Sequence, residues 1–338
     1  MNIIWSIHMY YPNHCCGSES MAHHINKYLI SKGHNVRVIL HQDYGIFTPY
    51  KYEGVEVFGS KVGQKVDTYR WADIICTHLD YTQFTIIMAK QAERPLVHFV
   101  HNDIPYSSIQ NNFGRVSAVY NSDWIAKDLN YPIPGYTLHP PCGGYEVDNT
   151  GAEAITLISL NFMKGGLMLA ELAGKMPNRK FIGVVGSYDS PGESKISQPM
   201  IIDFLRSFKN VEIVANSPDI ISTYKRTKIL IMPSYYESFG RTATEAMSCG
   251  IPVICTPTPG LKENCGDAGI YVGKRIEGSE PGKDQVTIGN VDDWVKGIES
   301  LDDKNEYAKK SLLCKQRAKQ LDPEKELEGL EMFLINRT

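Results

Sequence analysis

The sequence predicts an α/β protein built from two doubly wound domains, each a mainly parallel sheet covered by helices. Three observations predict it. Short β-branched apolar runs, such as residues 3–7, 36–40, 154–160 and 229–232, alternate with longer stretches of helical periodicity. The alternation breaks at a Pro- and Gly-rich stretch, 131–150, and then starts again. The 338 residues also suffice for two domains of ordinary size, and 42 % hydrophobic against 22 % charged residues is the balance of a globular chain with a large core.

In chain order, residues 3–7 read as the first strand and 8–18, rich in Pro, Asn and Gly, as a loop. Residues 19–32 follow as a helix with Met21, Ile25, Tyr28 and Leu29 on its apolar face, ended by Gly33, and 36–40 form the next strand. Further strands at 73–77 and 95–100 end at His78 and Asp80, and at His101, Asn102 and Asp103. Ligand groups collect at such carboxyl ends in doubly wound sheets. For His101 the alternative is a solvated loop histidine capped by Asp103. Residues 116–120 are a strand, with Ser122 or Asp123 as the N-cap of the next helix. Pro132, Pro134, Pro140, Pro141 and Gly143-Gly144 then read as a linker.

The second half continues with a strand at 154–160, a helix at 165–175 and strands at 180–185, 211–214, 229–232 and 253–255. Its organising stretch follows the 229–232 strand. Glu237 lies in the loop, a helix begins near Gly240, Glu245 sits inside that helix, and Gly250 with Pro252 ends it. Strand, glycine loop, helix aims the free N–H groups around Phe239 to Thr242 into the crevice at the strand's end, where a phosphate is stabilised. Two carboxylates beside an anion site suit a ligand that also carries hydroxyls, as a nucleotide-sugar does. The plainer alternative, Glu245 paired with Arg241 on the surface, is a weak reading, because the cation-first order is the less favourable one and such pairs contribute only about 0.3–0.5 kcal/mol. Lys164-Gly165-Gly166, opening the helix after the 154–160 strand, is either a diphosphate clamp or an ordinary helix-start loop.

Glu237, seven intervening residues and Glu245, with Phe239-Gly240 inside and Gly250-Ile-Pro-Val after, resembles the E-x7-E motif of the family 4 retaining glycosyltransferases. The resemblance implies the GT-B fold, two Rossmann-like domains facing across a cleft. It divides the chain into an acceptor-binding domain at 1–141, a linker at 142–150, a nucleotide-sugar domain at 151–318, and a helix at 319–338 that returns to brace the first domain with a solvated charged face. By the same resemblance Lys164 is the phosphate lysine, Glu237 holds donor-sugar hydroxyls and Glu245 the ribose. Ser238, Phe239, Gly240, Arg241 and Thr242 serve the diphosphate, while Gly186 and Asn216 lie in loops along the nucleoside. His101 points at the reacting sugar, and His78, Asp80 and Asp103 are acceptor candidates. Two positions depart from the pattern. Cys16 replaces one glycine of the Gly-Gly loop, leaving Gly17, and Ser159 stands where the family places a second phosphate-binding cation, a role left to Asn161 or Arg241.

A net charge of −3 asks for no polyanionic partner and disfavours a tight DNA site. No apolar run reaches the about 18–20 residues of a membrane span, and the first residues read as a strand instead of a signal peptide. Eight scattered cysteines without a C-x-x-C read as reduced thiols of a cytoplasmic enzyme. There is no D-x-D pair, so no metal and no cofactor are expected. The function expected is metal-independent, retaining transfer of a hexose from a UDP- or GDP-sugar to an acceptor hydroxyl. The alternatives are the same transfer to a hydroxymethylated DNA base, a sugar-nucleotide epimerase, and a non-catalytic nucleotide-sugar binder.

Overall fold

The computed structural model describes residues 1–42, 48–103, 107–142, 145–187, 196–217, 219–276 and 285–338. Gly143-Gly144 of the expected linker and Tyr188 of the expected nucleoside loop lie outside them. The chain forms two compact units, Met1–Pro141 with Pro323–Thr338, and Cys142–Asp322.

The first unit carries strands β1 (Asn2–Ile7), β2 (Asn35–Leu40), β3 (Tyr50–Tyr52), β4 (Val55–Phe58), β5 (Ile74–His78), β6 (Leu96–Val100), β7 (Val116–Tyr120) and β8 (Gly135–Thr137). They form one sheet in the order β3-β4-β2-β1-β5-β6-β7-β8, parallel except for the β3–β4 hairpin. The central strands β5, β6 and β7 are buried along their whole length, which is why they read as unbroken apolar runs and not as alternating ones. Strand order reverses between β1 and β5, so the loops after these two strands flank the sheet's switch point.

The first helix runs Gly17–Ser31, starting two residues before the sequence suggests, and buries Met21, Ile25 and Leu29 as expected while Tyr28 packs at the rim of the core. It also buries Glu19, Ser20, His23 and Asn26. Two of these polar groups are satisfied by Tyr10, whose hydroxyl meets His23 Nδ1 at 2.8 Å and accepts from Asn26 at 3.1 Å. Ser122 occupies the cap position of the Asp123–Leu129 helix, but its hydroxyl makes no capping bond and turns to Asn121 Oδ1 instead.

Within the Pro-rich stretch, Gly135–Thr137 is an edge strand of the first sheet, paired with β7. Proline is tolerated at a sheet edge, so linker composition and edge-strand composition coincide there. The Glu324–Ile335 helix belongs to the same unit and buries Leu327, Leu330 and Leu334 in its core. Its acids are not all solvated. Glu326 accepts from the backbone N–H of His139 and contacts His139 Nδ1, both at 2.7 Å, and Glu331 meets His34 Nε2 at 2.8 Å.

The second unit carries β9 (Ala154–Ile158), β10 (Phe181–Val184), β11 (Val211–Val214), β12 (Thr227–Met232), β13 (Val253–Cys255) and β14 (Ile270–Tyr271), in the parallel order β11-β10-β9-β12-β13-β14. This is the 3-2-1-4-5-6 order of doubly wound nucleotide-binding sheets. Its switch point falls between β9 and β12, so the loops that follow them, which hold Lys164 and Glu237, are brought side by side. Ile155, Leu157, Leu169 and Leu172 pack one core face, and Leu230, Ala243, Met247 and Leu261 the other.

His98, inside β6, and His41, at the end of β2, are both held neutral by removal from water, the first lowered to about 3 and the second to about 4. Unfolded, each titrates near 6.5, so between pH 6.5 and 4 the unfolded chain binds two protons here that the folded chain does not. Stability therefore falls with falling pH, by up to about 2.7 kcal/mol per pH unit from this pair. Urea denaturation at pH 7, 6 and 5 should show that decline, with His98→Gln removing about one proton from its slope. A pH-independent midpoint over this range would refute the neutral assignment.

Candidate functional site

Lys164 and Glu237 form the centre of the site in the second unit. Lys164 Nζ lies 2.8 Å from Glu237 Oε1 and 3.3 Å from the carbonyl of Tyr236. Ser234 donates to the same carboxylate oxygen at 2.9 Å. The two loops are locked together by Tyr235 N donating to Met163 O at 2.9 Å and by the stacked rings of Phe162 and Tyr235. Gly165 makes this approach possible: its φ is +79°, and a Cβ there would lie 2.3 Å from the Pro233 carbonyl oxygen. Just upstream, Ser159 takes a φ of +74°, a left-handed conformation unusual for a residue with a side chain.

Asn161 is a staple of its own loop. Its carbonyl oxygen accepts from Lys164 N at 2.9 Å and its amide donates to Ser159 Oγ at 3.2 Å. It is also buried, so the second phosphate cation that the sequence lacks at Ser159 is not replaced by a free Asn161 side chain.

The Arg241–Ser248 helix starts from Gly240, whose φ of +84° lets the chain turn from the loop into the helix. Asn264 fixes this entry by donating to the carbonyls of Phe239 at 3.0 Å and Gly240 at 2.9 Å while accepting from Thr244. The Arg241–Glu245 pair, given little weight from sequence, is made: Arg241 lies 3.0 Å from Glu245 Oε1, with the two side chains only 15 % and 6 % exposed. The buried hydroxyl of Tyr224 donates to the other oxygen at 2.8 Å. Burial and this third partner distinguish the contact from the exposed pair the sequence argument considered. Burial, with Glu245 adding to it, pushes the Tyr224 phenol well above its ordinary value and keeps it a donor.

Phe239 buries its ring, so only its backbone can face a ligand. Ser238 and Thr242 are partly exposed beside it. Gly186 N donates to Gln198 Oε1 at 2.6 Å and Gln198 Nε2 returns to Gly186 O at 3.2 Å, so this loop is braced from the next helix. Asn216 is exposed and reaches the Val185 carbonyl at 3.4 Å. Ser234, Tyr224, Asn264 and Gln198 are the site's supporting residues that sequence reasoning missed. Tyr224 ends a four-residue helix with no pattern to mark it, although Asn264 could have been suspected as a polar residue on the buried face of the Pro259–Cys265 helix.

In the first unit, His78 closes β5 and His101 follows β6. Their rings meet at 3.0 Å, His78 Nδ1 to His101 Nε2. His78 is fully buried, so an acceptor could be reached from this pair only through His101. Asp80 is exposed and Asp103 buried. Gly17 is the first residue of its helix, and a Cβ added there would meet open space, so no contact within the unit requires glycine. Beside it Glu19 is wholly buried, 3.3 Å from His8 Nε2 and 3.7 Å from His14 Nδ1. Burial alone would raise the Glu19 carboxyl, but His14 and His8 outweigh it and bring it below the usual range. The Cys16 thiol and Glu19 in turn push His14 up to about 10. Burial holds His8 and His78 neutral and lowers His101 to about 4.

Residues 170–311 match the family described as Glycosyl transferases group 1. The chain is 27 % identical over 166 residues to the O-antigen chain mannosyltransferase B of Escherichia coli, 43 % of each chain. It is 33 % identical over 97 residues to the D-inositol 3-phosphate glycosyltransferase of Corynebacterium jeikeium, 28 % of this chain and 23 % of that one. The matches thus span less than half the length of these relatives. Over its whole length the fold is similar to that of HepE from Anabaena, solved with UDP and glucose, at a TM-score of 0.77, 16 % identity and coverage of 99 % and 100 % of the two chains. It is also similar to the pneumococcal O-GlcNAc transferase GtfA, solved with UDP and GlcNAc, at a TM-score of 0.72, 11 % identity and coverage of 99 % and 98 %. With the E-x7-E loop at the switch point of its second sheet, residues 170–311 match the group 1 glycosyltransferases, and the chain has the GT-B fold.

Proposed function

We propose that the chain transfers a hexose from a nucleoside-diphosphate sugar to an acceptor hydroxyl with retention of configuration. The observation that carries this reading is the Lys164–Glu237 pair beside the N-terminus of the Arg241–Ser248 helix, one group suited to phosphate and one to sugar hydroxyls. The chemical problem in such a transfer is the charge that develops on the departing diphosphate. Lys164 and the first N–H groups of the helix supply the opposing charge from the protein, where it is already oriented. Glu237 accepts hydrogen bonds from the donor-sugar hydroxyls and Glu245 from those of the ribose. UDP-glucose is the first donor to test, because HepE is solved with UDP and glucose. A GDP-sugar is the second, given the mannosyltransferase among the relatives. In the first unit His101, at the carboxyl end of β6, is the candidate for contact with the reacting sugar.

A thermal-shift screen of nucleotide-sugars identifies the donor, since a ligand bound only by the folded chain raises its melting temperature. Donor then incubated with candidate acceptors should give a product with the donor's anomeric configuration. An epimerised donor in place of product would move the assignment to an epimerase.

Glu237→Ala should abolish transfer and leave affinity for the bare nucleoside diphosphate nearly unchanged. Equal loss of both would remove Glu237 from the sugar. Lys164→Met should weaken the nucleoside diphosphate by about 1.5–3 kcal/mol, about ten- to a hundredfold, while free nucleoside binds as before. Similar losses for the two ligands would place Lys164 away from the phosphates.

With the countercharge coming from the protein, transfer should proceed in buffer free of magnesium and manganese. Modest stimulation by either ion is compatible with faster product release. A strict, saturable requirement for one of them would overturn the proposed source of charge.

A further inference from the structure

At the switch point of the first sheet, His8 follows β1, His78 ends β5 and Glu19 lies in the first turn of the Gly17–Ser31 helix. We propose that these three side chains form a binding site for a divalent transition cation of the zinc class, which ties the two central strands to the first helix. One ligand atom from each, two imidazole nitrogens and a carboxylate oxygen, lie within 4.8 Å of one another. A tetrahedral ion with bonds of about 2.0–2.1 Å needs its ligands about 3.4 Å apart, so side-chain movements of up to about 1.5 Å complete the set.

Burial distinguishes this group from an ordinary polar cluster. Glu19 and His78 are 0 % exposed and His8 7 %. Even so, Glu19 Oε1, which faces His8 Nε2 at 3.3 Å, and His78 Nε2 make no hydrogen bond, nor does the other His8 nitrogen, Nδ1, and buried polar atoms left so are costly. The groups around them are arranged as an outer shell. His78 Nδ1 is engaged with His101 Nε2 at 3.0 Å, which turns Nε2 toward the cluster, and Asn121 holds the His101 carbonyl. Ser18 donates to Glu19 Oε2 at 3.0 Å, leaving Oε1 toward His8. Outer-shell bonds of this kind orient imidazole and carboxylate ligands in metal centres. Glu19 also belongs to a second triplet with His14 and Cys16, so a further imidazole and a thiol stand close to the same carboxylate. Two imidazoles, a carboxylate and a nearby thiol favour zinc over magnesium or calcium, which prefer oxygen alone. None of this depends on the glycosyl-transfer reading, because the diphosphate charge proposed there comes from the second unit.

The test is metal binding by the full chain. Protein dialysed against zinc and then against metal-free buffer should retain about one zinc per chain, and cobalt in its place should give the strong visible bands of a four-coordinate site. Zinc should raise the melting temperature. His78→Gln and His8→Gln should each weaken zinc at least about tenfold, and His24→Gln, on the same helix outside the cluster, should not. The metal content and cobalt spectrum of the unaltered chain decide the matter even if a variant fails to fold. Well under one zinc per chain, the pale spectrum of six-coordinate cobalt, or equal affinity in His78→Gln and His24→Gln would each overturn the proposal.

Discussion

The second unit depends on the close approach of two loops. Strand order reverses between β9 and β12, so the chains leaving these strands diverge and open a crevice. The Gly165 Cα lying against the Pro233 carbonyl closes the base of that crevice to a distance at which Lys164 and Glu237 can touch. Larger residues at position 165 would force the loops apart, and the ion pair, the Phe162–Tyr235 stack and the Met163–Tyr235 bond would go together. Backbone sterics thus set the electrostatics of the site.

Much of the fold was legible in the sequence because its signals are local. Each central strand is a short apolar run, a consequence of burial on both faces, and Gly33, Gly240 and Gly250 mark turns at which the backbone takes a positive φ. That Lys164 and Glu237 each lie in a loop after a strand followed from the same pattern, whereas the adjacency of those strands in the sheet did not. What stayed hidden is tertiary. Gly135–Thr137 pairs at a sheet edge, where proline-rich sequence and linker look alike. Tyr224, Asn264 and Gln198 brace the site from helices distant in sequence, and no spacing rule connects a tyrosine to a glutamate 21 residues on. The Arg241–Glu245 pair was misjudged for a related reason. Helix-pair energies describe exposed side chains, whereas this pair is enclosed with a third donor.

The two units handle buried polarity in different ways. In the second, Lys164, Glu237, Arg241 and Glu245 keep their formal charges matched in pairs. The first brings together His8, His78, His98 and His101, all held below the ordinary imidazole range by burial, with Glu19 acting on His8 and His101. Neutral imidazoles cost less to bury than ions, but each brings two ring nitrogens that need partners. Among the described residues, His8 Nδ1, Glu19 Oε1 and His78 Nε2 of the first unit lack a hydrogen bond, whereas Lys164, Glu237 and Glu245 of the second make theirs.

That satisfaction bears on how a ligand could bind. A carboxylate already joined to a cation cannot be given up to a sugar hydroxyl without leaving the cation exposed, unless the ligand supplies an anion to the cation in the same step. A nucleoside-diphosphate sugar carries both groups. Its phosphate can take over Lys164 while its hydroxyls take over Glu237, so each half of the ion pair exchanges one partner for another and neither charge is stranded. The bare sugar offers only hydroxyls and would have to break the pair without replacing it. On the function proposed above, pairing in the free protein favours ligands that present an anion and hydroxyls at the spacing of Lys164 and Glu237.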